Sequence, residues 1–364
     1  MVKKIVLTGG PGSGKTSVLE RIYNEYSKKG FKVIIVSETA TEIINMGIKP
    51  FGDKRVDILE FQEMVLKYQV VKEEIVDKYL AETTEDCLII YDRGMIDGNA
   101  FVKSGEFNEI IHHVCPDKNY LDLLNSYDLI IDLVSRADFY TLENNKARSE
   151  SFSKAMELGN LILNSWLGCG KLRIVSPKDK IEEKEDEVIA IIDDLLNYGN
   201  LKRQQKYIVD LENSQLAQIV SSAKRVDIEQ IYLKSRENIE FRIRKSIFSG
   251  SLNYKMTIFK KFDDGRIKVL QDSLINENTY YKLCKLKDEN SKTIYKKRYY
   301  FTYHGQYLYL DVFEGEDLGI LEVNIMENEV VTLPDSLVIL DKINYQENNL
   351  QYSNRFLALI KKGV

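Results

Sequence analysis

The segment Gly9-Gly10-Pro11-Gly12-Ser13-Gly14-Lys15-Thr16 decides the fold of the first half of this 364-residue chain. It follows the apolar run Lys4-Ile5-Val6-Leu7-Thr8, which indicates a buried strand, and it precedes a stretch with helical periodicity. Glycines let backbone N–H groups turn inward around phosphate oxygens. Lys15 can then reach the β- and γ-phosphates, and the Thr16 hydroxyl can bind Mg²⁺. The pattern therefore predicts a P-loop for Mg²⁺ with ATP or GTP. The expected nucleotide-binding residues are Gly9, Gly10, Pro11, Gly12, Ser13, Gly14, Lys15, Thr16 and Ser17.

Four more apolar runs indicate the rest of a sheet in the first half. They lie at residues 32–37, 87–91, 128–134 and 172–175. These runs are rich in β-branched residues and lack the alternation of half-exposed strands, so they predict buried parallel strands. Amphipathic segments such as Phe61 to Leu80 are long enough to be crossover helices. We expect an α/β P-loop NTPase or kinase-like domain at residues 1–198, with its parallel sheet flanked by helices.

The pattern changes near residue 200, after the expected linker Asn197-Tyr198-Gly199-Asn200. Short aromatic-rich segments then alternate apolar and polar residues, as in Tyr299-Tyr300-Phe301-Thr302-Tyr303. Turns such as Asp263-Asp264-Gly265 separate them, which is typical of antiparallel hairpins. This half is therefore predicted to be a mainly β antiparallel domain, either a barrel or a highly curved sheet. We place it at residues 203–350, followed by a tail at 351–364.

Composition excludes several classes of protein. Hydrophobic residues make up 44% and charged residues 29% of the chain, which is typical of globular proteins. No apolar run approaches the roughly 20 residues that span a bilayer, and no signal peptide is expected. The four cysteines lack metal-site spacing and fit a reducing cytoplasm. With a net charge of −5 and no recognition-helix motif, no nucleic-acid partner is expected.

Three charged residues outside the P-loop are candidates for catalysis. Asp92 ends the third strand, where a carboxylate can hold Mg²⁺ through water, although a helix N-cap is the alternative. Glu38 ends the second strand and is either a base or substrate ligand, or a carboxylate that caps the segment Thr39-Ala40-Thr41. Arg148 follows the fourth strand and either closes over the transferred phosphate or is simply solvated. The predicted metal ligands are Thr16 and Asp92, and the predicted catalytic residues are Lys15, Asp92, Glu38 and Arg148.

These motifs together carry a resemblance to a known family. Ser37-Glu38-Thr39-Ala40-Thr41, Asp92-Arg93-Gly94-Met95-Ile96-Asp97 and Ala147-Arg148-Ser149-Glu150 follow the P-loop in the order seen in a group of AAA-like proteins. The first half resembles nicotinamide-riboside kinases and deoxynucleoside kinases. The second half resembles CYTH domains, the triphosphate tunnel metalloenzymes, through segments that include Ile294-Tyr295-Lys296-Lys297-Arg298-Tyr299. The combination resembles the TRPL translocation defect protein 14 family.

The resemblance to tunnel enzymes implies an eight-stranded barrel with basic residues for a triphosphate and acidic residues for a metal. Alternate residues on a strand share a face, which would place Arg242 with Arg244 and Lys296 with Arg298. An ordinary solvent-facing sheet is the alternative. Lys206 would begin the set, with Glu229, Glu240, Asp311 and Glu322 as candidate acidic partners. The predicted residues of the phosphorylated-ligand tunnel are Lys206, Arg242, Arg244, Lys296, Arg298, Asp311 and Glu322.

The chain departs from that family where metal ligands are expected. The opening Glu-x-Glu-x-Lys strand is here Lys202-Arg203-Gln204-Gln205-Lys206, which keeps only the lysine, and a later Glu-x-Glu becomes Glu322-Val323-Asn324. Each lost carboxylate removes a hard oxygen ligand for Mg²⁺ or Mn²⁺. We therefore expect the second domain to bind a phosphorylated ligand with weak or absent triphosphatase activity.

Three functions fit the sequence. The first is a Mg-dependent protein that binds a nucleoside triphosphate and hydrolyses it or transfers its γ-phosphate, with a CYTH-like domain that binds a phosphorylated small molecule or polyphosphate. The second is a small-molecule kinase with a nucleoside-like acceptor. The third is a switch that binds GTP and a phosphorylated lipid head group or polyanion with little turnover. The missing Asn-Lys-x-Asp guanine signature only mildly favours ATP.

Overall fold

A computed structural model describes residues 1–135, 152–197, 204–235, 238–261, 267–324, 330–343 and 353–358. The chain divides into two compact units, Met1–Asp193 and Asp194–Val364. The predicted domain boundaries at residues 198 and 203 lie outside the described residues, as does most of the expected linker between them. Arg148 also lies outside the described residues. Among the described residues, no helix has both the length and the apolar character needed to cross a bilayer.

The first unit is a layer of helices on a parallel sheet. Its elements are β1 (Val2–Thr8), α1 (Lys15–Lys28), β2 (Lys32–Val36), α2 (Thr39–Asn45), α3 (Ile58–Glu82), β3 (Cys87–Asp92), a short 3₁₀ helix (Asp97–Phe101), α4 (Glu106–Val114), α5 (Tyr120–Leu124), β4 (Leu129–Leu133), α6 (Phe152–Trp166), β5 (Leu172–Val175) and α7 (Ile181–Asn197). The described strands pair in parallel in the order β2-β3-β1-β4-β5. This confirms the α/β class expected from the apolar runs.

The central position of β1 explains where the functional side chains meet. Ile5, Val6 and Leu7 are fully buried because β3 and β4 flank β1 on both sides and helices cover the sheet. The register pairs Leu7 with Asp92 and Thr8 with Asp132. Both aspartates therefore lie at the carboxyl edge of the sheet, beside the glycine-rich loop that follows β1.

The second unit is built on an antiparallel sheet. Its elements are β6 (Gln204–Asp210), α8 (Leu216–Val220), β7 (Lys224–Tyr232), β8 (Ile239–Phe248), β9 (Ser251–Lys261), β10 (Ile267–Leu274), α9 (Glu277–Cys284), β11 (Ile294–Tyr303), β12 (Gln306–Phe313), β13 (Leu318–Asn324), β14 (Val338–Ile343) and α10 (Asn354–Ala358). The described strands pair in the order β10-β9-β8-β7-β11-β12-β13-β6-β14. This confirms the mainly β antiparallel class. The sheet of the described residues has nine strands, one more than the resemblance implies, and β10 and β14 lie at its ends.

The two faces of this sheet differ in chemistry. One face is apolar along β6, β12 and β13, where Val209, Leu310 and Leu321 pack in a buried cluster that includes Ile219 of α8. A second buried cluster joins Ile243 of this face to Tyr280 of α9. The opposite face carries the predicted tunnel residues together with a third buried cluster, which includes Ile208, Tyr232 and Phe313. Part of the predicted tail belongs to this compact unit, in which Arg355 of α10 forms an ion pair with Asp288.

Candidate functional site

The loop between β1 and α1 is shaped by its glycines. Gly9, Gly12 and Gly14 have φ values of 135°, 74° and 88°, a region that side-chain-bearing residues rarely adopt. A Cβ on Gly9 would lie 2.3 Å from the Leu133 carbonyl oxygen. Helix α1 begins at Lys15 directly after the loop, so the positive end of its dipole faces the loop. This arrangement suits an anion bound by backbone N–H groups.

Lys15 lies in a pocket of charged side chains. Its Nζ is 3.4 Å from the Gly9 carbonyl oxygen. The pKa of Lys15 is lowered to about 8, first by burial and then by the Arg93 guanidinium, against the opposite effect of three carboxylates. Those carboxylates belong to Asp92, Glu38 and Asp97. The sheet edge therefore brings together Lys15, Asp92 and Glu38, three of the four predicted catalytic residues.

Asp92 is a partly buried carboxylate at the sheet edge, next to the glycine-rich loop. Its Oδ1 atom is buried and has no hydrogen-bond partner among the described residues. Burial raises the pKa of Asp92, and nearby Lys15 opposes that shift. The predicted alternative, a helix N-cap, is wrong, because the N-cap of the following 3₁₀ helix is Ile96. An unpaired buried oxygen beside a P-loop fits a water-mediated contact to Mg²⁺.

Thr16 and Asp92 carry oxygen atoms of the kind that Mg²⁺ prefers, and two such protein ligands suit Mg²⁺ that is bound together with a nucleotide. Within the described ranges, no three His, Cys, Asp or Glu side chains are grouped so as to hold a metal ion. Mg²⁺ with a nucleotide is commonly held by one or two protein oxygens, substrate phosphates and several waters, and so does not need such a group. Thr16 lies in the first turn of α1, and its hydroxyl would supply the second protein oxygen.

Arg93 links Glu38 to the loop that follows β3. Its φ is 70°, its Nε donates to Glu38 Oε1 at 2.5 Å, and its Nη1 donates to Asp97 Oδ1 at 3.4 Å. Asp97 Oδ2 also accepts from the Gly94 N–H at 2.7 Å, and Asp97 Oδ1 accepts from the Thr8 hydroxyl. The sequence placed Arg93 and Asp97 in this loop but did not predict that they bind each other.

Glu38 is held at the sheet edge as an ionised carboxylate. It occupies the N-cap position of α2, but its side chain accepts no backbone N–H of that helix. Its Oε2 instead accepts from the Thr41 hydroxyl at 2.7 Å. Burial would raise the pKa of Glu38, but Arg93 and Lys15 outweigh burial and lower it. An ionised carboxylate here can accept a hydrogen bond from an acceptor hydroxyl.

The sequence analysis missed two buried residues near the loop, Asp132, which pairs with Thr8, and Lys184. Asp132 at the end of β4 is buried, and burial raises its pKa to about 7. Lys184 of α7 donates to the carbonyl oxygens of Ser13 at 2.9 Å and Val134 at 2.7 Å. An aspartate inside an apolar strand was a usable signal for Asp132. Lys184 lies in a helix rich in charged residues and gave no such signal.

In the second unit the strand register places all seven predicted tunnel residues on one face. Lys206 pairs with Glu322, and Arg298 pairs with Asp311. Lys296 lies two residues from Arg298 on β11 and so shares its face. Arg244 pairs with Gln230, which pairs with Ile294 on the same face of β11, and Arg242 lies two residues from Arg244. The prediction that Glu229 is an acidic partner is wrong. Glu229 pairs with Tyr295, and both lie on the opposite face. Glu240 shares the face of Arg242, two residues away on β8.

Asp311 is the centre of a buried ion network. It is fully buried and accepts from Lys296 Nζ on Oδ2 at 2.6 Å, from Arg298 Nε on Oδ1 at 2.6 Å and from Arg298 Nη2 on Oδ2 at 2.6 Å. Burial alone would raise the pKa of Asp311, but Arg298 and Lys296 lower it strongly. Both carboxylate oxygens are thus occupied by cations.

Glu322 extends the same network. Its Oε2 accepts from the Tyr309 hydroxyl at 2.6 Å, and its Oε1 is 3.3 Å from Lys206 Nζ and 3.6 Å from Arg298 Nη2. Against the effect of burial, Lys206 and Arg298 lower the pKa of Glu322 to about 2. Three predicted phosphate-binding cations therefore already have carboxylate partners.

Arg242 and Arg244 differ from those three cations. Arg244 Nη2 donates to Gln230 Oε1 at 2.9 Å, and the Arg242 guanidinium lies 4.6 Å from the centre of the Phe259 ring. The Nε atoms of both arginines are buried and unpaired within the described part of the chain. Burial, followed by Arg242 and Arg298, lowers the pKa of Arg244 to about 10.

A comparison with known protein families agrees with the fold of the first unit. A parallel sheet with a glycine-rich loop between β1 and α1 defines a P-loop domain. Residues 4–184 match the family model described as an AAA domain, so this unit is an AAA-type P-loop domain. This finding supports a nucleotide-binding or phosphoryl-handling role. The narrower resemblance to the TRPL translocation defect protein 14 family stays a prediction. No curated protein matches the chain.

Solved structures resemble part of the chain at low similarity. The inorganic triphosphatase NE1496 matches with a TM-score of 0.31 and 22% identity, over 44% of this chain and 99% of that chain. The PH1819 protein from Pyrococcus horikoshii OT3 gives 0.28 and 17%, over 35% and 80%. A conserved hypothetical protein from Pyrococcus furiosus gives 0.27 and 17%, over 34% and 78%. At such scores these likenesses carry no argument about the activity of the second unit.

Proposed function

We propose that the first unit binds a Mg-bound nucleoside triphosphate and hydrolyses it or transfers its γ-phosphoryl group. The observation that carries this proposal is the position of Asp92 and Lys15 at one sheet edge beside the glycine-rich loop. Lys15 would neutralise charge on the β- and γ-phosphates, while Thr16 and Asp92 would hold Mg²⁺. Catalysis of phosphoryl transfer rests mainly on this positioning and electrostatic stabilisation.

Nucleotide binding and turnover in the full chain test this proposal. We expect Lys15→Ala to abolish tight binding of ATP or GTP, because it removes the cation that faces the phosphates. Asp92→Asn should keep binding but lose the Mg²⁺ dependence of turnover. Asp86→Asn is a suitable control, because Asp86 lies just before β3, away from the loop, and pairs with the N-terminal amine. Equal affinity of Lys15→Ala and the parent chain would refute the P-loop assignment.

A second candidate is transfer to a small-molecule acceptor, such as a nucleoside-like alcohol. The observation that favours it is Glu38, an ionised carboxylate that Arg93 and Thr41 hold at the loop. A water-activating or acceptor-binding carboxylate would be oriented in this way. Turnover that rises with one added nucleoside would favour the kinase, whereas acceptor-free turnover would favour the NTPase. Tight GTP binding with negligible turnover would favour the switch.

For the second unit we propose binding of a phosphorylated ligand, with little triphosphatase activity. The basic face supports binding, and the occupied oxygens of Asp311 and Glu322 argue against a metal cradle. Phosphate groups occur in small molecules, polyphosphates and lipid head groups. Titrating the full Lys15→Ala chain with tripolyphosphate and with phosphoinositide-containing vesicles distinguishes these sources. The absence of any response to both would refute the proposal for this unit.

A further inference from the structure

The cations on the polar face of the second unit fall into two groups. Lys206, Lys296 and Arg298 have carboxylate partners, and Lys255 of β9 pairs with Asp272 at 2.7 Å. Among the described residues, neither Arg242 nor Arg244 has a carboxylate oxygen within 4.0 Å of its guanidinium. A paired cation offers little charge to an incoming anion, because its own carboxylate repels that anion.

We infer that Arg242 and Arg244 form the anion subsite, and that this subsite takes one phosphate group without a metal ion. This inference rests on the proposed binding of a phosphorylated ligand by the second unit. It reduces the number of cations that bind the ligand from the five predicted to two. The ligand class is a compound with a single terminal phosphate, not an extended triphosphate chain.

The geometry of β8 suits one phosphate group. Arg242 and Arg244 are two residues apart on this strand, so they share a face and their Cα atoms are about 6.6 Å apart. Long guanidinium side chains at that spacing can converge on one group with oxygens on several sides, and their forked donors match phosphate geometry. Two positive charges balance the roughly −2 charge of a phosphate monoester.

The two arginines are also held in place before a ligand arrives. Gln230 accepts from Arg244, and the Phe259 ring lies against Arg242. Their Nε donors are nevertheless buried and unpaired within the described residues. Such donors are uncommon in folded proteins because burial without a partner is costly, so they point to a missing acceptor.

Asp311 and Glu322 do not provide a metal site for a longer phosphate chain. Both oxygens of Asp311 accept from Lys296 or Arg298 at 2.6 Å, and Oε2 of Glu322 accepts from Tyr309. A divalent ion would have to displace these buried contacts. The network of Asp311 and Glu322 is therefore structural, and Arg242 and Arg244 are the cations of the predicted tunnel that it leaves for the ligand.

The test uses the full chain with Lys15→Ala, which weakens the P-loop as a competing anion site. Inorganic phosphate and tripolyphosphate are titrated by calorimetry in EDTA and again in Mg²⁺. We expect one phosphate per chain, no requirement for Mg²⁺, and an affinity for tripolyphosphate within about tenfold of that for phosphate. Each further charge-assisted contact would add about tenfold or more, so a fully used tunnel would exceed this limit.

Variants locate the subsite. Arg242→Gln with Arg244→Gln should weaken phosphate binding by about tenfold or more, and Arg244→Lys, which keeps the charge but loses the fork, should weaken it several-fold. Lys245→Gln is the matched control, because it removes a cation from the next residue on the opposite face. Melting temperatures without the anion show whether each variant is folded.

Two sets of outcomes separate this inference from the proposed function. If the folded double variant binds phosphate as tightly as Lys245→Gln, or if binding needs Mg²⁺ or strongly prefers tripolyphosphate, the two-arginine subsite is refuted while anion binding by this unit stands. If the parent chain with Lys15→Ala binds no phosphate compound at all, the proposed function of the unit fails, and the inference fails with it.

Discussion

Replacing Asp311 with asparagine tests whether the buried ion network holds the second unit together. The substitution keeps the shape of the side chain but removes the charge that faces Lys296 and Arg298, which are 0% and 9% exposed in their side chains. It also replaces one acceptor oxygen with an N–H₂ donor, which would face donors of its neighbours. Two buried cations would then lack their nearest counter-charge.

The structure sets the size of the expected effect. Removing one partner of a buried ion pair costs about 3–5 kcal/mol of unfolding free energy. Glu322 lies 3.6 Å from Arg298 Nη2 and offsets part of the loss, so we expect about 3 kcal/mol. Asp227→Asn is the matched control. Asp227 is 39% exposed and pairs with the exposed Arg225 on the other face, so its loss should cost about 0–1 kcal/mol.

The pH dependence provides a second readout of the same network. Asp311 and Glu322 have pKa values below those of an unfolded chain, so their stabilisation is present above pH ~4 and is lost as pH falls toward the folded pKa values. For Glu322 that lower limit is a pKa of about 2. We expect Asp311→Asn to flatten the acid limb of the stability profile of the second unit.

Hydrogen exchange with mass spectrometry is the suitable assay, because it resolves the two units in the full chain. Peptides from β11, β12 and β13 report on the network, while fluorescence of Trp166, the single tryptophan, reports on the first unit. We expect Asp311→Asn to speed exchange in those strands roughly a hundredfold relative to Asp227→Asn, which corresponds to about 3 kcal/mol. Equal protection in the two variants would show that the network contributes nothing beyond packing.

Three further changes probe the P-loop. Lys184→Gln should weaken nucleotide affinity several-fold without changing the Mg²⁺ dependence, because it loses the contact that fixes the Ser13 carbonyl; unchanged calorimetric affinity would contradict this. Gly9→Ala should abolish nucleotide binding through its 2.3 Å clash, while Gly170→Ala, with open space around it, should bind like the parent. Because the pKa of Lys15 is about 8 without ligand, affinity should fall as pH rises above 8, by up to tenfold per pH unit, and a flat profile from pH 7 to 9.5 would exclude that shift.

Much of the fold could be predicted because it depends on local patterns. Apolar runs without alternation specify parallel strands buried on both faces, and alternating aromatic segments specify antiparallel ones. The glycine-rich loop adds a requirement for positive φ that Gly9, Gly12 and Gly14 meet. Strand number was less accessible, because it depends on turns and pairings at the sheet ends that periodicity does not encode.

Side-chain partners were harder to predict because they depend on register. Alternation correctly suggests that Lys296 and Arg298 share a face, but it does not show that Asp311 of the next strand lies opposite Arg298. The assignment of Glu229 to the same face is wrong for this reason, since it needed the pairing with Tyr295. In the same way, nothing local to Lys184 indicates that α7 brings it to the Ser13 carbonyl.

In both units, ion pairing distinguishes charged side chains that stabilise the fold from charged side chains that can bind a ligand. In the first unit, Arg93 binds Asp97, while the Asp92 Oδ1 atom has no partner among the described residues. In the second, Asp311 and Glu322 bind three cations and leave two arginines without carboxylates. An unpaired buried charge costs free energy in the empty protein, so a ligand of opposite charge recovers that cost and stabilises the fold. The first unit should accordingly gain stability from Mg²⁺ with a nucleotide, and the second from a phosphate group alone.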